Sequence, residues 1–69
     1  MKGAVFMAIS LKAARVNAEL TQKEAYTSLG ISKSTLSNYE NYKTKPDIET
    51  SQKIAELYGV TVNDIRWKN

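Results

Sequence analysis

Sixty-nine residues, 42% of them apolar and with a net charge of +3, are enough for one small domain. The chain has neither cysteine nor histidine. It therefore has no disulfide staple and lacks the side chains that most often serve as metal ligands, nucleophiles and general bases, which sets enzymes and metal centres aside. No apolar run approaches the roughly 20 residues of a membrane span, and the basic balance, with a pI of about 9.3, suits a nucleic-acid partner if the charge is clustered.

The opening residues carry a short apolar run, Ala4 to Ile9, and an amphipathic helix follows at once with no cleavage site between. Residues 1–8 read as the N-terminal arm of a cytoplasmic protein, with Met7 as an alternative start, and 9–69 as the domain. A helix is expected over 10–17, where Leu11, Ala14 and Ala18 recur at helical spacing with Lys12, Arg15 and Glu19 between them. Thr21-Gln22-Lys23-Glu24 forms a capping box that opens a second helix, with Leu20 placed to staple onto Ala25. Gly30 ends that helix as a left-handed C-terminal residue.

Ser32 caps a third helix running to about Asn41, with Ile31 placed to staple onto Leu36. The polar segment Tyr42-Lys43-Thr44-Lys45-Pro46 leads to Asp47, the cap of a fourth helix that runs to Tyr58 and stops at Gly59. Thr61-Val62-Asn63-Asp64 opens a short fifth helix, with Val60 placed to staple onto Ile65. Connections this short make neighbouring helices cross at steep angles. The expected fold is an all-α, compact five-helix domain.

Two helices meeting across a tight glycine-containing turn, between Thr21 and Asn41, have the outline of a helix-turn-helix. The third helix has two faces. Leu36 and Tyr39 point one way, while Lys33, Ser34, Ser37 and Asn38 point the other. Short polar side chains on a helix entering the major groove suit base edges. Gln22 stands at the start of the second helix, where free amides and the helix dipole favour a phosphate. Lys43 and Lys45 lie beyond the far end of the third helix, so anion-binding groups bracket the reading face.

These residues resemble a known family. Leu-Thr-Gln-Lys-Glu (20–24), Leu-Gly-Ile-Ser-Lys-Ser-Thr-Leu-Ser-Asn-Tyr-Glu-Asn (29–41), Lys-Thr-Lys-Pro (43–46) and Ile-Ala-Glu-Leu-Tyr-Gly-Val (54–60) are similar to the phage Cro and C1 repressor type of helix-turn-helix. The resemblance covers roughly residues 9 to 67. It implies a lambda-repressor-like domain that regulates transcription by binding double-stranded operator DNA, usually as a dimer. By resemblance, Lys33, Ser34, Ser37 and Asn38 face bases, while Gln22, Asn41, Lys43, Thr44 and Lys45 meet phosphates. Arg15 and Glu40 match positions that form an ion pair, and Glu40 needs such a partner if it is partly buried.

Tyr26 and Tyr42 depart from the family pattern, standing where alanine and glycine are usual. The phenol of Tyr26 must lever the helices apart or slide out between them, and Tyr42 is strained if its position needs a positive φ. Ser51 interrupts the apolar stripe of the fourth helix.

Val62, Ile65 and Trp67 crowd the C-terminal stretch. They read as the contact of a homodimer, weak or formed on DNA, although Trp67 could instead fold back over the core. A bare domain of this size is expected to repress by occupying its operator. The same fold also serves to bind another regulator instead of DNA. Apolar or acidic residues would then be expected where Lys33, Ser34, Ser37 and Asn38 stand. Glu24, Asp47 and Asp64 are accounted for at helix starts, no glycine-rich phosphate loop is present, and neither a cofactor nor a small-molecule ligand is expected.

Overall fold

Short polar side chains start each α-helix among the described residues, and a residue in the left-handed conformation follows the end of each. The structure, a computed structural model, describes residues 8–69. All of the arm expected over 1–8 except Ala8, and with it the choice between Met1 and Met7, lies outside the described residues. In chain order the elements are β1 (Ile9–Ser10), α1 (Leu11–Asn17), α2 (Gln22–Leu29), α3 (Lys33–Glu40), α4 (Ile48–Tyr58), one turn of 3-10 helix (Val62–Asp64) and β2 (Ile65–Arg66).

The starts follow from local chemistry. Ser10 Oγ accepts from the Ala13 N–H at 3.0 Å, and Ser32 Oγ from the Thr35 N–H at 3.1 Å. Thr21 and Glu24 bond reciprocally, at 3.0 and 2.8 Å, which is the capping box. Asp47 Oδ1 accepts from the Thr50 N–H at 2.7 Å. Hydrogen bonds from the backbone hold the carboxyls of Glu24 and Asp47 below their ordinary pKa values.

The ends share one motif. A backbone N–H just past each helix reaches back to a carbonyl of its last turn: Leu20 to Arg15 at 3.2 Å, Ile31 to Tyr26 at 3.0 Å, Lys43 to Asn38 at 2.9 Å and Val60 to Ala55 at 3.0 Å. This closure places the residue before the donor at positive φ, where glycine is at ease. Gly30 and Gly59 take it at +70° and +73°. After α1 and α3 the position falls on Glu19 at +61° and Tyr42 at +60°.

Leu11 and Ala14 of α1, Ala25 of α2, Leu36 of α3, Ile54, Ala55 and Tyr58 of α4, and Ile65 of β2 form one buried core. Leu20, Ile31 and Val60, the residues ahead of the caps, pack half-buried against it. Tyr26 lies there too, while its neighbour Ala25 is the residue of α2 that is wholly enclosed. Ser51 is buried on α4 and donates to the Pro46 carbonyl at 3.5 Å, the outer limit of a hydrogen bond. No helix among the described residues is long and apolar enough to cross a membrane.

The fifth helix is a correction. Four α-helices are found among the described residues, and the segment after Thr61 makes a single 3-10 turn. Asp64 does close this turn, its carboxylate accepting from the Thr61 N–H at 2.9 Å. Ile65 then leaves the helical region (φ −111°, ψ 136°). Its backbone joins a two-stranded parallel sheet with register Ile9↔Ile65 and Ser10↔Arg66, and its side chain enters the core at 3% exposure. So short a segment gains little as an isolated helix, and a β-branched residue facing the core suits a strand.

Candidate nucleic-acid interface

Gly30 turns the chain sharply between α2 and α3, so that two short helices stand against each other with Ala25 and Leu36 enclosed. Amphipathic spacing then decides which side of α3 faces outward. Lys33 and Ser34 are exposed and Ser37 and Asn38 half-buried. With Ser32 these four line a shallow concavity. Ser32 Oγ lies 3.2 Å from Ser34 Oγ and 2.8 Å from Thr35 Oγ1, so hydroxyls that can both donate and accept cluster at the N-terminal end of the face. Asn38 offers a donor and an acceptor side by side, the pattern that matches adenine, and Lys33 offers the donors that match guanine.

A polar network behind this face sets its position. Arg15 Nε donates to Glu40 Oε2 at 2.7 Å, with the two side chains 10% and 6% exposed. Arg15 also donates to Glu40 Oε1 at 3.4 Å and to the Leu20 carbonyl at 2.8 Å. Gln22 Nε2 donates to Ser37 Oγ at 3.2 Å and to Glu40 Oε1 at 3.3 Å. The guanidinium thereby ties α1, the α1–α2 turn and α3 together, and the amide of Gln22 ties α2 to an outward-facing residue of α3. A pair this enclosed gains little over apolar side chains, but losing one partner strands a buried charge. Tyr58 lies in the field of the pair. Burial, and after it the negative charge of Glu40, pushes its phenol up to about 12, with Arg15 opposing.

The amide hydrogens of Gln22 are thus turned inward. What α2 presents to an anion is therefore the backbone N–H groups of Gln22 and Lys23 in its first turn, since the Glu24 N–H is held by Thr21. Beyond the other end of α3, Asn41, Lys43, Thr44 and Lys45 are all exposed. The N–H groups of Lys43 and Thr44 donate to the Asn38 carbonyl at 2.9 and 3.4 Å, which folds this basic loop back beside the outward face. Arg15–Glu40 is the only ion pair among the described residues, so the ammonium groups of Lys33, Lys43 and Lys45 are unpaired.

The three C-terminal positions separate. Ile65 belongs to the core and offers no surface. Trp67 folds back, its indole Nε1–H donating to the Val62 carbonyl at 2.9 Å. Val62 and Trp67 line a groove of about 330 Å³ with Pro46 and Ile48, and Ile48 is 78% exposed.

Sequence reasoning missed the inward turn of Gln22, the left-handed Glu19 and the guanidinium of Arg66, which lies over the Tyr42 ring at 5.7 Å from its centroid. The absence of any glycine between Asn17 and Leu20 concealed the second, and only the tertiary fold reveals the first and third.

Comparison with known proteins finds the same motif in the sequence. A family model described as helix-turn-helix matches residues 11–65. The chain is 42% identical over 59 residues to the HTH-type transcriptional regulator ImmR of Bacillus subtilis (strain 168), covering 86% of this chain and 46% of that protein. It is 35% identical over 51 residues to the cryptic phage CTXphi transcriptional repressor RstR of Vibrio cholerae, covering 74% of this chain and 46% of that one. The chain spans less than half the length of these curated relatives. No solved structure matches it.

Proposed function

The chain belongs to the helix-turn-helix family, and from that premise we propose that it is a sequence-specific double-stranded DNA-binding regulator of transcription. It places α3 in the major groove and represses by occupying its operator, in the cytoplasm of its host. The observation that carries this reading is the outward face of α3, small, polar and cationic, with unpaired lysines and free helix-terminal amides on either side. Lys33, Ser34, Ser37 and Asn38 read base edges. The start of α2 at Gln22, and Asn41, Lys43, Thr44 and Lys45 in the loop, hold the phosphates and fix the register. A regulator and a repressor among the similar proteins support the same role.

Two copies bind one operator through the groove of Val62 and Trp67 and the exposed Ile48, which suits a weak contact completed on DNA. Half-site centres then lie about 34–36 Å apart, one turn of the duplex. Selection of bound sequences from a random duplex pool tests the whole reading. The expected outcome is a two-fold symmetric site with that spacing, bound with an affinity that falls steeply as salt rises. Binding that enriches no sequence, or no binding even at low salt, would overturn it.

A further inference from the structure

We infer that Arg66 is a positioning residue for the loop that carries Lys43, Thr44 and Lys45, acting through the ring of Tyr42. The inference rests on the DNA-binding reading for its functional part. Tyr42 occupies the left-handed position at the end of α3 (φ +60°), a conformation in which a residue with a Cβ is strained. The closure of α3 depends on it: with Tyr42 in this conformation, Lys43 and Thr44 turn back and donate to the Asn38 carbonyl. Something must compensate the strain. The ring is half-buried, with its hydroxyl enclosed and without a partner, so that hydroxyl contributes no compensating hydrogen bond. The guanidinium of Arg66 covers the ring at 5.7 Å from the centroid, within reach of a cation–π attraction.

Arg66 is itself held. It lies in β2, paired with Ser10, between the core residue Ile65 and Trp67. The stack therefore ties the phosphate-facing loop to the small sheet on the body of the domain. Without it, the loop keeps its backbone bonds, the half-buried Tyr42 ring and the buried Pro46, and loses the contact that ties the Tyr42 ring to β2 between those anchors.

Arg66 is exposed, so Arg66→Ala leaves the core intact. Hydrogen exchange at the Lys43 and Thr44 amides tests the positioning without DNA. Arg66→Ala should speed it by about two- to fivefold, the factor that a cation–π contact supports, and unchanged exchange would overturn the inference. Binding to random-sequence duplex DNA tests the consequence. Arg66→Ala should weaken it by a similar factor in the Tyr42 protein and have no effect in the Tyr42→Gly background, with the salt slope unchanged. If Arg66 instead met a phosphate itself, the loss would be equal in both backgrounds and the slope would fall by about 0.9, which overturns the inference, as does DNA affinity insensitive to Arg66→Ala. A wild-type chain that binds no DNA, with exchange still accelerated by Arg66→Ala, would remove the DNA-binding reading and leave the positioning of the loop standing.

Discussion

Single side chains on α3 and in the loop after it divide the labour of recognition in a way that substitution can separate. Ser34→Ala and Asn38→Ala should each change which operator sequences are preferred, at about 1–3 kcal/mol for a well-made base contact. Lys43→Ala should weaken all duplexes alike and lower the salt slope by about one. Competition between operator variants measures both, and an unchanged ranking after the α3 substitutions would refute the assignment of the base-facing residues. Tyr58 is a residue whose charge matters only outside this chemistry. Its folded pKa, about 12, lies above the ordinary value near 10, so the folded state keeps a proton that the unfolded chain gives up. The stability this confers is complete below about pH 10 and is lost as pH rises through 12. Tyr58→Phe also removes a buried hydroxyl without a partner. The variant should match or exceed the parent at pH 7 and lose less stability between pH 10 and 12 in denaturant titrations. An equal alkaline loss would show that Tyr58 is not its source.

At the scale of elements, what the sequence disclosed was whatever local chemistry encodes. Thr21, Ser32 and Asp47 could be read as helix starts because a cap acts within one turn, while Ser10 was read only as the first residue of a helix, and Gly30 and Gly59 could be read as ends because glycine advertises a positive φ. Glu19 takes the same conformation unannounced. For an ordinary residue this conformation costs about 1–2 kcal/mol, against roughly 0.5–1 kcal/mol for the extra freedom a glycine loses on folding. Glu19→Gly should therefore stabilise the domain by about 0.5–1 kcal/mol, read as a higher denaturant midpoint at unchanged slope; a lower midpoint would mean that Glu19 is not strained. The outward face of α3 was legible from its period. The inward turn of Gln22 and the stacking of Arg66 on Tyr42 were not, because each depends on how elements far apart in the chain are brought together. The same reason explains the missing fifth helix. A two-residue strand leaves no periodic trace, and the partner that turns Ile65 away from a helix is Ile9, at the opposite end of the domain.

For the molecule as a whole, assembly on DNA is the property its surface leaves most open to test. Ile48 is large, apolar and 78% exposed beside the groove of Val62 and Trp67. Ile48→Ser removes the apolar contact without touching the core or the face of α3 and without placing a cation at the start of α4. It should leave the melting temperature unchanged and weaken binding to an operator with two half-sites far more than to a single half-site. Equal effects on the two DNAs would place the dimer contact elsewhere. The pairing of β1 with β2 bears on how the domain forms. The α2–α3 unit closes over a few residues and can assemble early, whereas the loop that brings Ile65 to Ile9 spans all four α-helices and the 3-10 turn and carries the largest closure entropy. Docking of this strand is therefore expected as the last step, made after the folding barrier has been crossed. Ile65→Val, at a cost of about 0.5–1.5 kcal/mol, should then accelerate unfolding in a chevron experiment and leave the refolding rate where it was.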